Sequence, residues 1–493
     1  MLPLLTIRHT SLKEASLIMA AILLAVSSVA VALTAEWVGL ALMLTGVLAG
    51  PPLIALLSGR MDPWAPVYLV IGSYFLQFVS ECVGVGLRLV PFLPYYMTED
   101  EFDGVLPAAM VCASVSLCCF YLGYYSRLGE DISWRLPSLR SSWIASHVRV
   151  VIALYLTAGA LAWATLVMQN GGLASYLLGL KNVHQVLLGR QYLVTLSGYL
   201  PMYALVICRA RARETGLASD ALAANVVFLL AAAPAVTAGQ RGSVVWLFLC
   251  MKAADHYISM VGNRKRWYAA AVVANWAGIA MLVVLLSAAV QLKFGRGRML
   301  AAAVGADAEV TDALGDRGER VSLRQSLVAM LFRGDGVEVL GRILGRTGRV
   351  VRPAEGRTLF VDSVSQMVPR ALWPQKPFPV GIRFFRQFLD NAVGDEFGEA
   401  EATTAPGELY WNGFYPGVVV GMITLGVLCR AGYAYFMRNR NASGLLIYVG
   451  VATSALSLNE TPSSVLSMLI CHLAVALAAY YLLADRLLRK RVQ

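Results

Sequence analysis

Apolar residues fall along this chain in blocks of roughly 18–23, the length an α-helix needs to cross about 30 Å of hydrocarbon. The blocks predict spans at 16–34, 37–58, 64–84, 104–126, 147–168, 192–209, 221–237, 243–260, 268–290, 413–437, 443–458 and 463–484. The expected fold is therefore all-α and polytopic, with about 12 transmembrane helices. Span three runs into the broken stretch Gly84-Val85-Gly86-Leu87-Arg88, and span eight carries Lys252, Asp255 and His256 near its end. The first block ends in Ala32-Leu33-Thr34-Ala35-Glu36 and a second follows at once, so it reads as a helix rather than a cleaved leader. The chain divides into helices one to nine (1–290), a hydrophilic loop (291–412), and helices ten to twelve with a tail (413–493).

The loop is not uniform. Residues 299–319 are rich in Ala, Gly and Asp and read as a linker. From Val321 the pattern turns helical: Leu323, Leu327, Val328, Leu331, Val337, Leu340, Ile343 and Leu344 oppose Arg324, Arg333, Arg342 and Arg346. A second amphipathic segment runs from Ile382 through Phe385, Phe388 and Leu389, with Arg383, Arg386 and Gln387 on its polar side. Both suit helices lying in a membrane interface, although a plain cap over the bundle fits them too. Between them, Pro369-Arg370-Ala371-Leu372-Trp373-Pro374-Gln375-Lys376-Pro377 cannot continue a helix, because its prolines remove amide donors and clash with the preceding turn. The segment predicts a rigid turn, with Trp373 suited to the bilayer interface.

Charge orients the spans. Nineteen Lys and Arg collect on one side: Arg8, Lys13, Arg60, Arg127, Arg135, Arg140, Arg149, Arg209, Arg211, Arg213, Arg264, Lys265, Arg266, Arg438, Arg440, Arg486, Arg489, Lys490 and Arg491. The short loops of the other side hold only Arg88, Lys181, Arg190 and Arg241. Positive charge marks the cytoplasmic side, so both termini are expected in the cytoplasm and loop 291–410 outside it. The loop's sixteen basic and fifteen acidic residues nearly cancel, so the net charge of +11 belongs to the topology and not to a nucleic-acid surface.

Composition agrees with the pattern: 58% of the 493 residues are hydrophobic and only 14% charged. Soluble domains run near 45–50% and about 25%. All eight cysteines lie in or beside apolar spans, which leaves no disulfide framework and no metal-ligating spacing. No GxGxxG or P-loop pattern is present, and no cofactor is expected.

Three segments resemble the Wzy-type oligosaccharide repeat-unit polymerases, membrane enzymes that build O-antigen, capsular and exopolysaccharide chains. They are Val368-Pro369-Arg370-Ala371-Leu372-Trp373-Pro374-Gln375-Lys376-Pro377, the run Thr403 to Gly417 containing Glu408-Leu409-Tyr410-Trp411-Asn412-Gly413-Phe414, and Gly239-Gln240-Arg241-Gly242-Ser243 before a span. The likeness extends over the whole chain in layout but over only about forty residues in motif. One departure is the order Asn412-Gly413-Phe414, where the family has Asn-Phe-Gly. The resemblance implies a GT-C-like membrane glycosyltransferase in a bacterial inner membrane, with the large loop periplasmic. It implies undecaprenyl-diphosphate-linked oligosaccharides as donor and acceptor, the bilayer as a partner, and proteins of chain-length control and export beside it. An O-antigen ligase-type transferase shares the layout. A lipid-linked oligosaccharide flippase is the alternative from another class, though transporters usually show internal repeats and short loops.

Displacement at an anomeric carbon with a lipid diphosphate leaving group needs fixed cations and a base. Arg241 sits before span eight, whose N-terminus favours an anion, with Gly242 allowing close approach; snorkelling is its blander reading. Arg190 shares its outer loop with Lys181 and His184. Arg370, Lys376 and Arg357 follow from the large loop. The expected base is Glu408, one turn before an outward helix start; an acid merely favoured by the helix dipole is the alternative. His184, Asp362 and Glu460 are further candidates, and Glu99, Asp100, Glu101 and Asp103 read as a solvated loop.

Overall fold

A computed structural model describes residues 37–57, 62–80, 99–139, 145–173, 190–215, 218–237, 241–261, 336–368, 372–388, 402–459 and 461–483, together with Cys82, Trp143, Ser175 and Tyr176. Among these residues the elements are helical and no strand is present. We number them α1 (Trp37–Leu57), α2 (Pro66–Tyr74, continued by a π-helical turn Phe75–Val79), α3 (Glu99–Tyr125), α4 (Arg127–Arg135) and α5 (Ala145–Gln169). Next come α6 (Gln191–Thr215), α7 (Ala218–Thr237), α8 (Arg241–Val261), α9 (Gly336–Arg346), a π-helical segment (Thr358–Asp362), α10 (Ser363–Met367) and α11 (Val380–Phe388). The chain closes with α12 (Ala405–Arg438), α13 (Ala442–Leu456) and α14 (Pro462–Leu483). Expected spans 16–34 and 268–290 and the linker 299–319 lie outside the described residues; the other ten spans each fall on a helix.

Among the described residues, five helices are long and apolar enough to cross a membrane: α3, α5, α6, α12 and α14. The protein is a helical, membrane-embedded one on that composition. Hydroxyls inside these helices return to the carbonyl one turn back, as Ser114 to Met110 O at 2.8 Å and Thr424 to Val420 O at 2.8 Å. No polar hydrogen is then left facing hydrocarbon at those positions.

The long helix α12 is the axis of the described bundle, packed along α3. Two glycines allow the backbones to meet. A Cβ at Gly123 would land on the Ile423 carbonyl oxygen, and one at Gly426 on the Phe120 carbonyl oxygen. Small residues at such crossings replace the hydrophobic drive that lipid cannot supply. Gly426→Ala is expected to push α3 and α12 apart at a cost of about 1–3 kcal/mol or more. A lower thermal-aggregation temperature of the detergent-extracted chain is the readout.

At the far end of α12 a carboxylate ties four elements together. Asp62, in the turn between α1 and α2, accepts from Tyr257 Oη of α8 at 2.7 Å and Tyr433 Oη of α12 at 2.5 Å. It also accepts from Trp64 N at 3.1 Å, and His256 Nε2 stands 3.5 Å away. Tyr448 of α13 closes the knot by donating to Trp64 O. Burial acts to raise the Asp62 pKa, but the donors His256, Tyr433, Tyr257 and Trp64 outweigh it and hold the group below the usual carboxylate value of 3.8. A depressed folded value means stabilisation present at neutral pH and lost as pH falls through that value. The thermal stability of the extracted chain is therefore expected to drop as pH falls below about 4, and Asp62→Asn to reduce that dependence.

Two expectations change, and a third gains detail. Helix ten does turn into its span at 413 as expected, but a shorter helical stretch from Ala405 to Asn412 precedes it within α12. Thr404 caps it by accepting from Gly407 N at 3.2 Å, and Pro406 fits the first turn, where no amide partner is required. Gly413 (φ −161°) and Phe414 (φ 53°) leave the helical region between the two stretches, and the chain bends so sharply there that Gly417 and Gly421 sit against Leu409. The amphipathic segments do not present their apolar faces to the membrane interface. Of the first, 336–346 is described, and its Val339 and Ile343 pack with Val380, Phe384 and Phe388 of α11 around Trp411. Burying the faces against each other satisfies the same amphipathicity without lipid. Finally, Glu99, Glu101 and Asp103 belong to the first turns of α3, where Glu101 pairs with Arg342 of α9 at 3.6 Å.

Candidate functional site

The α9–α11–Trp411 core holds loop segments over the start of α12, and a polar cluster lies beneath it. Glu408, in the first turns of α12, is fully buried. Its Oε2 accepts from Ser463 N at 3.0 Å and Ser463 Oγ at 3.2 Å, so the carboxylate caps α14 across the bundle. This bond uses the positive end of α14. Its Oε1 has no donor in full hydrogen-bond geometry among the described residues, but the Thr358 hydroxyl interacts with the carboxyl and can donate to it.

One turn further along α12, Asn412 donates through Nδ2 to Glu408 O at 2.7 Å and to Thr358 Oγ1 at 2.5 Å. The Asn412 Oδ1, also buried, has no donor among the described residues. Thr358 opens the π-helical segment and Asp362 ends it, fully buried. Arg383 of α11 reaches in and forms an ion pair with Asp362. Its guanidinium also lies over the Trp411 ring, 5.9 Å from the centroid. Burial lowers the proton affinity of Arg383, the neighbouring Arg357 lowers it further, and Glu408 works the other way. The cluster therefore holds two buried carboxylates and one guanidinium, with Arg357 exposed at its edge. Three chain segments meet here: the loop at 357–383, the start of α12 and the start of α14.

Of the expected site residues, the structure brings Glu408, Asp362 and Arg357 together. Lys376 is near but engaged: its ammonium donates to Ser365 O at 3.0 Å and Val368 O at 2.7 Å, closing the end of α10. Arg190 caps the end of α5, donating to Asn170 Oδ1 at 2.5 Å and Gln169 O at 3.2 Å, where a helix C-terminus favours a cation. Arg241 is the first residue of α8, the helix-start position expected for it, and its side chain lies outside the described residues. His184, Arg370 and Glu460 lie there as well.

Sequence reasoning missed Arg383, Thr358, Asn412 and Ser463 as members of the cluster. Arg383 lay in plain view on an amphipathic segment, and only the packing of Phe384 and Phe388 on Trp411 turns its side of α11 inward. Among the described residues no group of three or more His, Cys, Asp and Glu could hold a metal ion, and all eight cysteines are unpaired. Compared with known proteins, the chain matches no family model, no curated protein and no solved structure.

Proposed function

We propose that this protein is a polysaccharide polymerase that joins polyprenyl-diphosphate-linked oligosaccharide repeat units at the outer face of a bacterial inner membrane. The observation that carries the reading is a buried acceptor without a donor among the described residues, Asn412 Oδ1, beside the buried Glu408 carboxyl at the start of α12. A buried acceptor left unmatched costs about 1–3 kcal/mol. A sugar hydroxyl is a donor of the right size, and the resemblance of 403–417 and 368–377 to repeat-unit polymerases points to the same class of ligand.

In this reading the acceptor unit's hydroxyl oxygen attacks the anomeric carbon of the donor chain. The bond from that carbon to the diphosphate breaks, and polyprenyl diphosphate leaves with the electron pair. The hydroxyl proton passes to Glu408 Oε1. Arg383 fixes the carboxylates around the acceptor, with Asp362 as its buried counter-charge. Arg357 takes the diphosphate, a task for which the guanidinium fork suits better than an ammonium, and Arg241 and Arg370 stay the further cations expected for it. The engagement of Lys376 and Arg190 with backbone carbonyls favours structural duties for those two.

Cells lacking the protein provide the test. The polymerase reading expects single repeat units on the lipid carrier or on the lipid A core. Long chains stranded on the carrier would show an O-antigen ligase-type transferase instead, and units accumulating on the cytoplasmic leaflet would show a flippase.

A further inference from the structure

Between Arg357 and Val368 the chain forms two short elements, the π-helical turn and α10, that pack on the first turns of α14. We propose that residues 358–368, together with Leu372 and Trp373, form a wedge seated in the lipid at this end of the bundle, its outward face in contact with acyl chains.

Three observations lead there. The first is depth. The apolar run of α14, Pro462–Leu483, has 22 residues before the charged pair Asp485-Arg486 in the sequence; at about 1.5 Å each it spans about 33 Å, little more than the hydrocarbon thickness of about 30 Å. Its second turn therefore lies at or below the lipid boundary. Ser467 of that turn shares its hydroxyl proton between Ser463 O at 2.9 Å and Ser363 O of the wedge at 2.6 Å. The wedge is level with the membrane edge, not above it.

The second is the outward surface. Phe360, Val364 and Leu372 are 76%, 53% and 78% exposed, with Val361 and Trp373 beside them. Phe360, Val361 and Val364 lie on the segment that packs against α14 through Ser467 and Ser464, and Ile470 of α14, one turn beyond Ser467, is exposed as well. An exposed apolar surface of this kind marks a membrane or partner contact, and its attachment to the first turns of the membrane-crossing helix α14 selects lipid.

The third is the backbone. An irregular segment in water leaves its carbonyls to the solvent; in lipid each must find an internal donor. Here side chains supply them. Ser363 Oγ donates to Leu359 O at 2.5 Å and Ser365 Oγ to Asp362 O at 3.1 Å. Ser467 covers Ser363 O, and the Lys376 ammonium covers Ser365 O and Val368 O. Five carbonyls within ten residues are closed by side chains, and this is the use the structure makes of Lys376.

The wedge is independent of any catalytic activity, and the wild-type chain tests it. The purified protein is placed in phosphatidylethanolamine–phosphatidylglycerol vesicles carrying a photoreactive acyl chain, illuminated and digested with trypsin. Acyl adducts are expected on the peptide Thr358–Arg370 as well as on peptides of α14. Adducts on α14 with none on Thr358–Arg370 would overturn the proposal. As a second measurement, Phe360→Cys and Val364→Cys chains in lipid nanodiscs should react with a charged maleimide at least about tenfold more slowly than a Gln387→Cys chain, because apolar surroundings suppress the thiolate. Wild type sets the background from the native cysteines. Labelling of the Phe360→Cys chain as fast as the Gln387→Cys chain would likewise sink the wedge.

Discussion

Glu408→Gln abolishes chain extension, with a loss of about 10²–10⁴-fold expected for removal of a positioned base, while the protein stays in the membrane at wild-type amount. The reason for expecting a folded variant is geometric. Ser463 N and Ser463 Oγ both bind Oε2, and the glutamine carbonyl can take that place. The amide NH₂ then faces the Thr358 hydroxyl, whose oxygen can accept from it, so the contact changes direction without being lost. What disappears is the lone pair that would accept the hydroxyl proton. The check is the length distribution of surface polysaccharide in cells carrying the variant, beside immunodetection of the chain in membranes. Wild-type lengths would remove Glu408 from the site and leave it as the cap of α14 alone.

The second large effect is structural. Arg383→Ala leaves Asp362 fully buried without its counter-charge. Breaking a buried pair by removing one partner costs about 3–5 kcal/mol, a large part of the roughly 5–15 kcal/mol by which domains are stable. The extracted chain should unfold at a visibly lower temperature. Pairing the change with Asp362→Asn should return part of the loss, since the stranded charge is then absent. The difference between the double variant and the sum of the singles measures the coupling directly. If Arg383→Ala alone is as stable as wild type, Asp362 is not held as described. Arg383→Lys keeps the charge but not the planar fork, and an intermediate stability is expected for it.

These two residues also show what the sequence could reveal. Glu408 was legible because it stands at the edge of an apolar block, in a segment that resembles a known family. The spans were legible because length in lipid is a hard constraint: α3, α5 and α14 lie within a few residues of their expected limits. The start of helix ten was legible too, since the apolar run begins at the Gly413–Phe414 break; the stretch Ala405–Asn412 before it was not, because its Thr404 cap and short length give hydropathy nothing to read. Arg383 was read as a polar edge facing away from the core, since period 3.6 gives the angle between faces but not which of them meets a partner. Thr358 and Ser463 carry no signal, and Asn412 only its place in the segment that resembles the family; small polar residues near helix starts are common, and only their bonds around the Glu408 residue and to one another distinguish them. The short helix α4 was hidden in a loop counted for its arginines, and its Glu130 pairs with Arg430 of α12.

The central claim is that the cluster around Glu408 joins lipid-linked units. It is tested most directly by placing the purified chain in vesicles with polyprenyl-diphosphate-linked repeat units and nothing else. The account predicts a ladder of products still attached to diphosphate, with one free polyprenyl diphosphate released for each bond formed, and no ladder from Glu408→Gln. Repeat units that remain single in the presence of folded wild-type protein, with no polyprenyl diphosphate released, would contradict it.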